Sequence, residues 1–274
     1  MTSPPRANVR VFRIAMSTWL VGWFCKAPFF ADYYLREIWA YPHHYAGLPR
    51  VLVHPALATV AWLAPVLASG ALIHARQWTM RAAAALVTAC AFTGCIHFEM
   101  FNDATFVTSF WVGLWLLWFT ANAHRSDAAL YLHARVLAQC TIALVFLGGA
   151  VGKLTGEYLT GDALYHLYFV QKTNWPYPWL RDVLSAGTLH AIAAWFSRAV
   201  IAGELLLALS PLVPFRIAAI AGMTVMIGMV VVSTWYLTSV MACLFGLYLA
   251  LMIEARAQNR PASTSRRNAM TPAM

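Results

Sequence analysis

Between Ile217 and Ile253 the chain carries no charged side chain. As one helix at about 1.5 Å per residue, this stretch would be roughly 55 Å long. A bilayer offers ~30 Å of hydrocarbon, so the stretch must turn once, and the turn is expected at Ser233-Thr234-Trp235-Tyr236. Comparable apolar runs occur at Phe12–Phe30, Val51–Ile73, Met80–Ile96, Phe106–Asn122, Ala128–Val151 and Leu189–Leu209. With Ile217–Ser233 and Tyr236–Ile253 they make eight crossings. Hydrophobic residues are 61% of the chain and charged residues 11%, and no polar segment is large enough to fold as a soluble domain. The expected fold is an all-α polytopic membrane bundle over residues 1–255, followed by a basic tail, 256–274, whose small polar residues predict disorder at the cytoplasmic surface. The first run is too long for a cleaved signal and contains Lys26, so it reads as a retained helix.

Lys and Arg in short loops mark the cytoplasmic side. If the N-terminus is inside, Arg6, Arg10 and Arg13, Arg76 and Arg81, Arg125 and Arg135, Arg216, and Arg256 onward all fall inside. The outer loops then hold Asp32, Arg36, Glu37, His43, His44 and Arg50, then His97, Glu99 and Asp103, then the mixed segment from Lys153 to Asp182. This pattern predicts both termini in the cytoplasm, in a bacterial inner membrane. The formal charge of +9 then reflects topology and anionic lipid, and gives no reason to invoke nucleic acid. The five cysteines fall in predicted helices without a CxxC pair, which predicts buried thiols rather than disulfides.

Ionisable residues inside apolar spans cost ~2.5 kcal/mol or more at the bilayer centre unless paired or solvated. Lys26 is expected to snorkel to a headgroup. Arg198 and Glu204 are the deepest; six residues apart on one helix, they do not face each other, and each is expected to find a partner on another helix. His97 and Glu99, near Asn102 and Asp103, supply acceptors and amide donors for an outer polar pocket. Their HxE spacing points side chains apart, so no metal is expected.

The segment from Lys153 to Asp182 reads as an interfacial amphipathic helix, with Leu164, Leu167, Tyr168 and Val170 on its apolar side and Trp175, Pro176, Pro178 and Trp179 as anchors. Such a helix can roof a cavity between the bundle helices. Lys153 stands where the fifth apolar run ends. Desolvation disfavours a charged ammonium, which would make this lysine a base or nucleophile; the simpler alternative is an interfacial lysine contacting phosphate.

The stretch GGAVGKLTGEYLTGDAL, Gly148 to Leu164, resembles the signature of the horizontally transferred transmembrane domain family, which includes the membrane domain of vitamin K-dependent gamma-carboxylase. The family pattern is an apolar helix ending in AG-x-x-K-L, then a polar stretch, an aromatic and a glycine; here Gly149 to Leu154 is followed by Tyr158 and Gly161. Asn102 and Glu204 extend the similarity. Asp103 stands where the carboxylase has a histidine, the penultimate helix lacks an expected histidine, and no large lumenal substrate-binding region follows. The resemblance therefore implies the bundle, the lysine and an outer-facing pocket rather than carboxylation of a protein. It implies Lys153 as general base towards a reduced quinone such as a vitamin K-like hydroquinone. Asn102, Asp103 or His97 would orient the oxygen, and Glu99, Arg198, Glu204, Tyr158 and Trp175 would line the ligand site. The alternative is a non-catalytic protein that holds a membrane lipid or quinone, or assembles with a membrane protein partner.

Overall fold

The computed structural model describes residues 4–31, 51–96, 104–125, 127–171, 176–233 and 235–258, with Arg36 and Pro49 between them. Among the described residues every regular element is helical. Eight helical runs are long: α1 (Arg6–Phe24), α2 (Pro55–Ile73), α3 (Gln77–Ile96), α4 (Ala104–Ala121), α5 (Ala128–Gly152), α6 (Ala186–Ala208), α7 (Phe215–Ser233) and α8 (Trp235–Gln258). Seven of them, α2 to α8, are long and apolar enough to cross a membrane. The chain is an integral membrane protein of the multi-pass, all-α class. The turn between α7 and α8 falls where the unbroken apolar stretch required it.

α1 begins earlier than the apolar run, at Arg6, because its polar first half is partnered. Asn8 donates to the carbonyls of Ala123 and Arg125 at 2.8 and 2.5 Å, and Arg13 caps α2 by donating to Ile73 O at 3.2 Å. α1 also lies antiparallel along the whole of α8: Arg10 faces Glu254, Thr18 fills the space over Gly246, and Gly22 abuts Ser239 and Cys243. A helix that matches a spanning helix end for end covers the same depth, so α1 is the eighth member of the bundle. Lys26, just beyond it, is buried with its ammonium 5.4 Å from the Phe29 ring centroid, rather than extended as snorkelling would require.

α2 is continuous but uneven. Pro65 has no N–H to give, and the run tightens to a 3₁₀ turn over Ala64–Ser69 before resuming. α5 and α6 start at side-chain caps, Asp127 accepting from Leu130 N and Ser185 from Thr188 N. α8 continues to Gln258, past the expected boundary at 255.

Cross-helix bonds fix the order of the ends. Arg81 donates to Ala121 O at 2.5 Å, Tyr131 to Asn8 Oδ1 at 2.5 Å, and Gln139 to Ser210 O and Val213 O at 2.6 and 3.0 Å. The start of α1 and the end of α8 therefore share one end of the bundle with Arg10, Arg13, Arg81, Arg125, Arg135 and Arg216. Lys153 and the segment after it occupy the opposite end. Between them runs one core, in which Trp19, Trp23, Trp62 and Phe30 stack in sequence at centroid distances of 5.0, 4.9 and 4.1 Å. All five cysteines are free thiols.

Candidate functional site

The segment after Lys153 is helical in pieces rather than as one interfacial helix: Gly156–Thr160, Asp162–Leu164, a π turn over Tyr165–Val170, and Tyr177–Val183. The first break is Gly161, held at φ 91°, where a Cβ would lie 2.4 Å from Ala194 N. Only glycine satisfies both the left-handed backbone and that approach to α6. The contact presses the segment against the first half of α6. Ser197 Oγ donates to Tyr158 O, and Asp162 Oδ1 pairs with His190 Nε2 at 2.6 Å. Leu164, Tyr168, Phe169 and Tyr177 turn inward to form a second small core with Leu189 and Ala193. The apolar side expected of Leu164 and Tyr168 is thus buried against α6, while Leu167 and Val170 stay exposed.

Beneath this roof lies a cavity of about 610 Å³ between α5, α6, α7 and α8. Its walls are mostly apolar and aromatic, with Phe146, Leu164, Phe196, Met229 and Met241 among them. Its polar groups are Lys153, Glu204, Tyr158, Tyr168 and Ser233. Lys153 caps α5 and bends back along it. Its Nζ donates to Glu204 Oε1 and Oε2 at 2.8 and 2.9 Å and to Gly149 O at 3.1 Å. The ammonium's three N–H groups are thereby occupied. The Lys153 side chain is 27% exposed and that of Glu204 8%, so the pair forms part of the wall. Gly149 makes it possible: a Cβ there would lie 3.2 Å from Glu204 Oε1.

Tyr158 lies with its ring centroid 5.9 Å from Lys153 Nζ. Burial, then the negative charge of Glu204 and the nearby Tyr168, hold its phenol above the ordinary tyrosine value. Burial and then Tyr177 push Tyr168 up to about 12. Both remain protonated near neutral pH and serve as hydrogen-bond donors.

The structure thus brings together three of the sequence-selected residues, Lys153, Tyr158 and Glu204. Arg198 stands apart, exposed on α6 with its guanidinium 5.8 Å from the Trp195 ring centroid and outside the cavity. Glu204 has the inter-helix partner expected of it; Arg198 stacks within its own helix. His97, Glu99, Asn102, Asp103 and Trp175 lie outside the described residues, as do His43 and His44. Ala104, the first described residue after Asp103, lines the cavity. Tyr168, Gly149 and the Asp162–His190 pair were not anticipated as functional or positioning groups. An aromatic at helical spacing from Leu164 was the available signal for Tyr168. Among the described residues no three His, Cys, Asp or Glu side chains converge on a metal-sized site.

Fold and cavity define a polytopic helical membrane protein with a charged pair set into an apolar chamber. No protein-family model, curated protein or solved structure matches the chain.

Proposed function

We propose that the cavity binds an uncharged, largely apolar membrane molecule bearing a hydroxyl, of the reduced-quinone or isoprenoid class, and that Lys153 acts on it as a general base. The observation that carries this reading is the Lys153–Glu204 pair in the wall of an otherwise apolar cavity of about 610 Å³. A lysine alone would favour a phosphate headgroup. Glu204 cancels its charge and repels anions, while its remaining lone pairs accept a hydrogen bond from a neutral ligand.

The same geometry supplies a route to a base. Lys153 gives a proton across 2.8 Å to Glu204, leaving a neutral amine beside a carboxylic acid. The amine then takes the proton of the ligand hydroxyl, leaving an oxyanion beside the restored ammonium. Tyr158, in the cavity wall, is a donor available to that oxyanion. The likeness to the horizontally transferred transmembrane family points to the same lysine and to a hydroquinone. Asn102, Asp103, His97, Glu99 and Trp175 are proposed to complete the site on that likeness, and Ala104 in the cavity wall supports it for the residues just before.

A second reading, a non-catalytic holder of lipid or quinone for a membrane partner, is favoured by the saturation of all three N–H groups of Lys153. The arginine-rich end supports a cytoplasmic location of both termini in a bacterial inner membrane.

Mass spectrometry of the lipids and quinones that copurify in mild detergent tests binding. The wild type should retain a quinone or isoprenoid that Lys153→Ala loses; equal lipid profiles from two folded proteins would remove the proposal. Lys153→Arg separates the two readings, since it keeps charge but not base strength. A base should lose turnover, whereas a holder should keep its ligand.

A further inference from the structure

At the opposite end of the bundle, the described residues include only two carboxylates, Asp127 and Glu254, against Arg6, Arg10, Arg13, Arg76, Arg81, Arg125, Arg135 and Arg216. Four of these eight arginines have polar partners. Arg13 and Arg81 donate to carbonyls at helix ends, Arg125 lies 3.7 Å from Asp127, and Arg10 lies 3.6 Å from Glu254. Of the other four, Arg6, Arg76, Arg135 and Arg216, the last two meet at the start of α7, where Arg135 lies over the ring of Phe215 and Arg216 follows it. Among the described residues neither has a hydrogen bond or an ion pair, and Arg135 Nε is buried without an acceptor.

The fold places Arg135 against the start of α7, beside Arg216. Arg135 projects from α5 with its guanidinium 5.6 Å from the centroid of Phe215, which packs edge-on against Tyr248 at 5.8 Å. One turn further along α5, Gln139 clamps the α6–α7 connection through Ser210 O and Val213 O, which fixes the start of α7 and hence Arg216. Arg135 feels the positive charge of Arg216 as well as the negative charge of Glu254. Counting Arg10, Arg135, Arg216 and Glu254, the cluster has a surplus of two positive charges, with a buried N–H that lacks an acceptor. Adjacent like charges of this kind are stabilised by an anion between them, and a guanidinium fork matches a phosphate.

We propose that Arg135 and Arg216 bind the phosphate ester of an anionic lipid headgroup at the arginine end of the bundle. The setting favours a lipid over a soluble phosphate. Arg135 lies about 27 Å along α5 from Lys153, at ~1.5 Å per residue, so the two mark opposite borders of a hydrocarbon layer about 30 Å thick. Arg216 is exposed at that border, beside the apolar face of α7 where Ile217 and Ile220 are exposed to acyl chains. This site is separate from the cavity at Lys153, and the inference does not depend on what that cavity holds.

Native mass spectrometry of the full chain in detergent, titrated with phosphatidylglycerol and with phosphatidylcholine, tests the proposal. The wild type should retain phosphatidylglycerol preferentially. Arg216→Gln should weaken that retention roughly tenfold, the loss of one charge-assisted contact. Arg6→Gln removes the same charge from the same end and should leave it unchanged. Arg135→Lys, which preserves the charge but not the fork, should fall between them and covers the case in which Arg135→Gln fails to fold. Equal losses in Arg6→Gln and Arg216→Gln would reduce the effect to general surface charge and overturn the site. No preference between the two lipids would overturn it also. Displacement of the lipid by glycerol phosphate at millimolar concentration would overturn the lipid as source and leave a soluble phosphate ester in its place.

Discussion

At one end of the bundle Glu204 receives two hydrogen bonds from Lys153 at 2.8 and 2.9 Å; at the other, Glu254 lies 3.6 Å from Arg10 and its Oε2 has no hydrogen bond among the described residues. Both carboxylates are buried, with 8% and 5% of their side chains exposed, but their partners are not alike. Lys153 is drawn into the wall of a cavity, whereas the Arg10 side chain is 50% exposed. The first pair is balanced and faces an apolar chamber. The second sits within an excess of positive charge that no carboxylate at that end can neutralise. Burial of a carboxylate therefore says little by itself; the completeness of its partner and the space beside it separate a site for a neutral ligand from one for an anion.

Breaking the balanced pair should have the largest effect. Glu204→Ala strands a largely buried ammonium and should cost about 3 kcal/mol of stability, read by thermal or denaturant unfolding in detergent. The combined change Lys153→Met with Glu204→Leu sharpens the point: it should recover most of that stability while abolishing ligand retention. A double variant as unstable as the single one would show that the pair is structural.

A smaller effect is expected from Gly149→Ala. The new Cβ meets the carboxylate at 3.2 Å, so Glu204 must retreat by a few tenths of an ångström, at a cost of about 1 kcal/mol and with weaker ligand retention. Arg10→Gln should cost under about 1 kcal/mol, because half-exposed, loosely paired charges contribute little. A loss as large as that of Glu204→Ala would erase the contrast between the two ends.

The smallest effect lies on the roof. The hydrogen bond from Thr160, then that from His190, hold Asp162 below the ordinary carboxylate value. Its contribution is complete above that ordinary value and is lost as pH falls through the lowered one. Hydrogen exchange of residues 160–170 should accelerate only in that acidic window, with α4 and α5 unaffected.

Much of this was legible in the sequence, for identifiable reasons. Apolar runs and arginine-bearing loops report on the bilayer directly, so α2 to α8 and the sharing of one end by the start of α1 and the end of α8 followed from them. α1 shifted by six residues because Asn8, Arg10 and Arg13 find partners in the α4–α5 connection, on α8 and at the end of α2, which no local pattern discloses. Lys153 was conspicuous at the end of a helix, and Glu204 was conspicuous inside one. Their pairing was not, because Lys153 was expected near the outer face and Glu204 lies only four residues before the far end of α6. It depends on Lys153 folding back one turn and on the room left by Gly149. The roof was anticipated as helical, but a backbone of positive φ at Gly161 divides it, and that conformation leaves only a glycine in the sequence as a sign.

The most direct measurement is photolabelling of the full chain with a photoreactive hydroquinone analogue, followed by peptide mapping, with unlabelled hydroquinone as competitor. The account predicts competed label on the cavity wall, at Phe146, Tyr158, Tyr168, Met229 and Met241, and its loss in Glu204→Gln. Label spread without competition over the exposed residues Trp195, Leu206 and Ile227 would mean that the molecule merely dissolves around the bundle, and would contradict it.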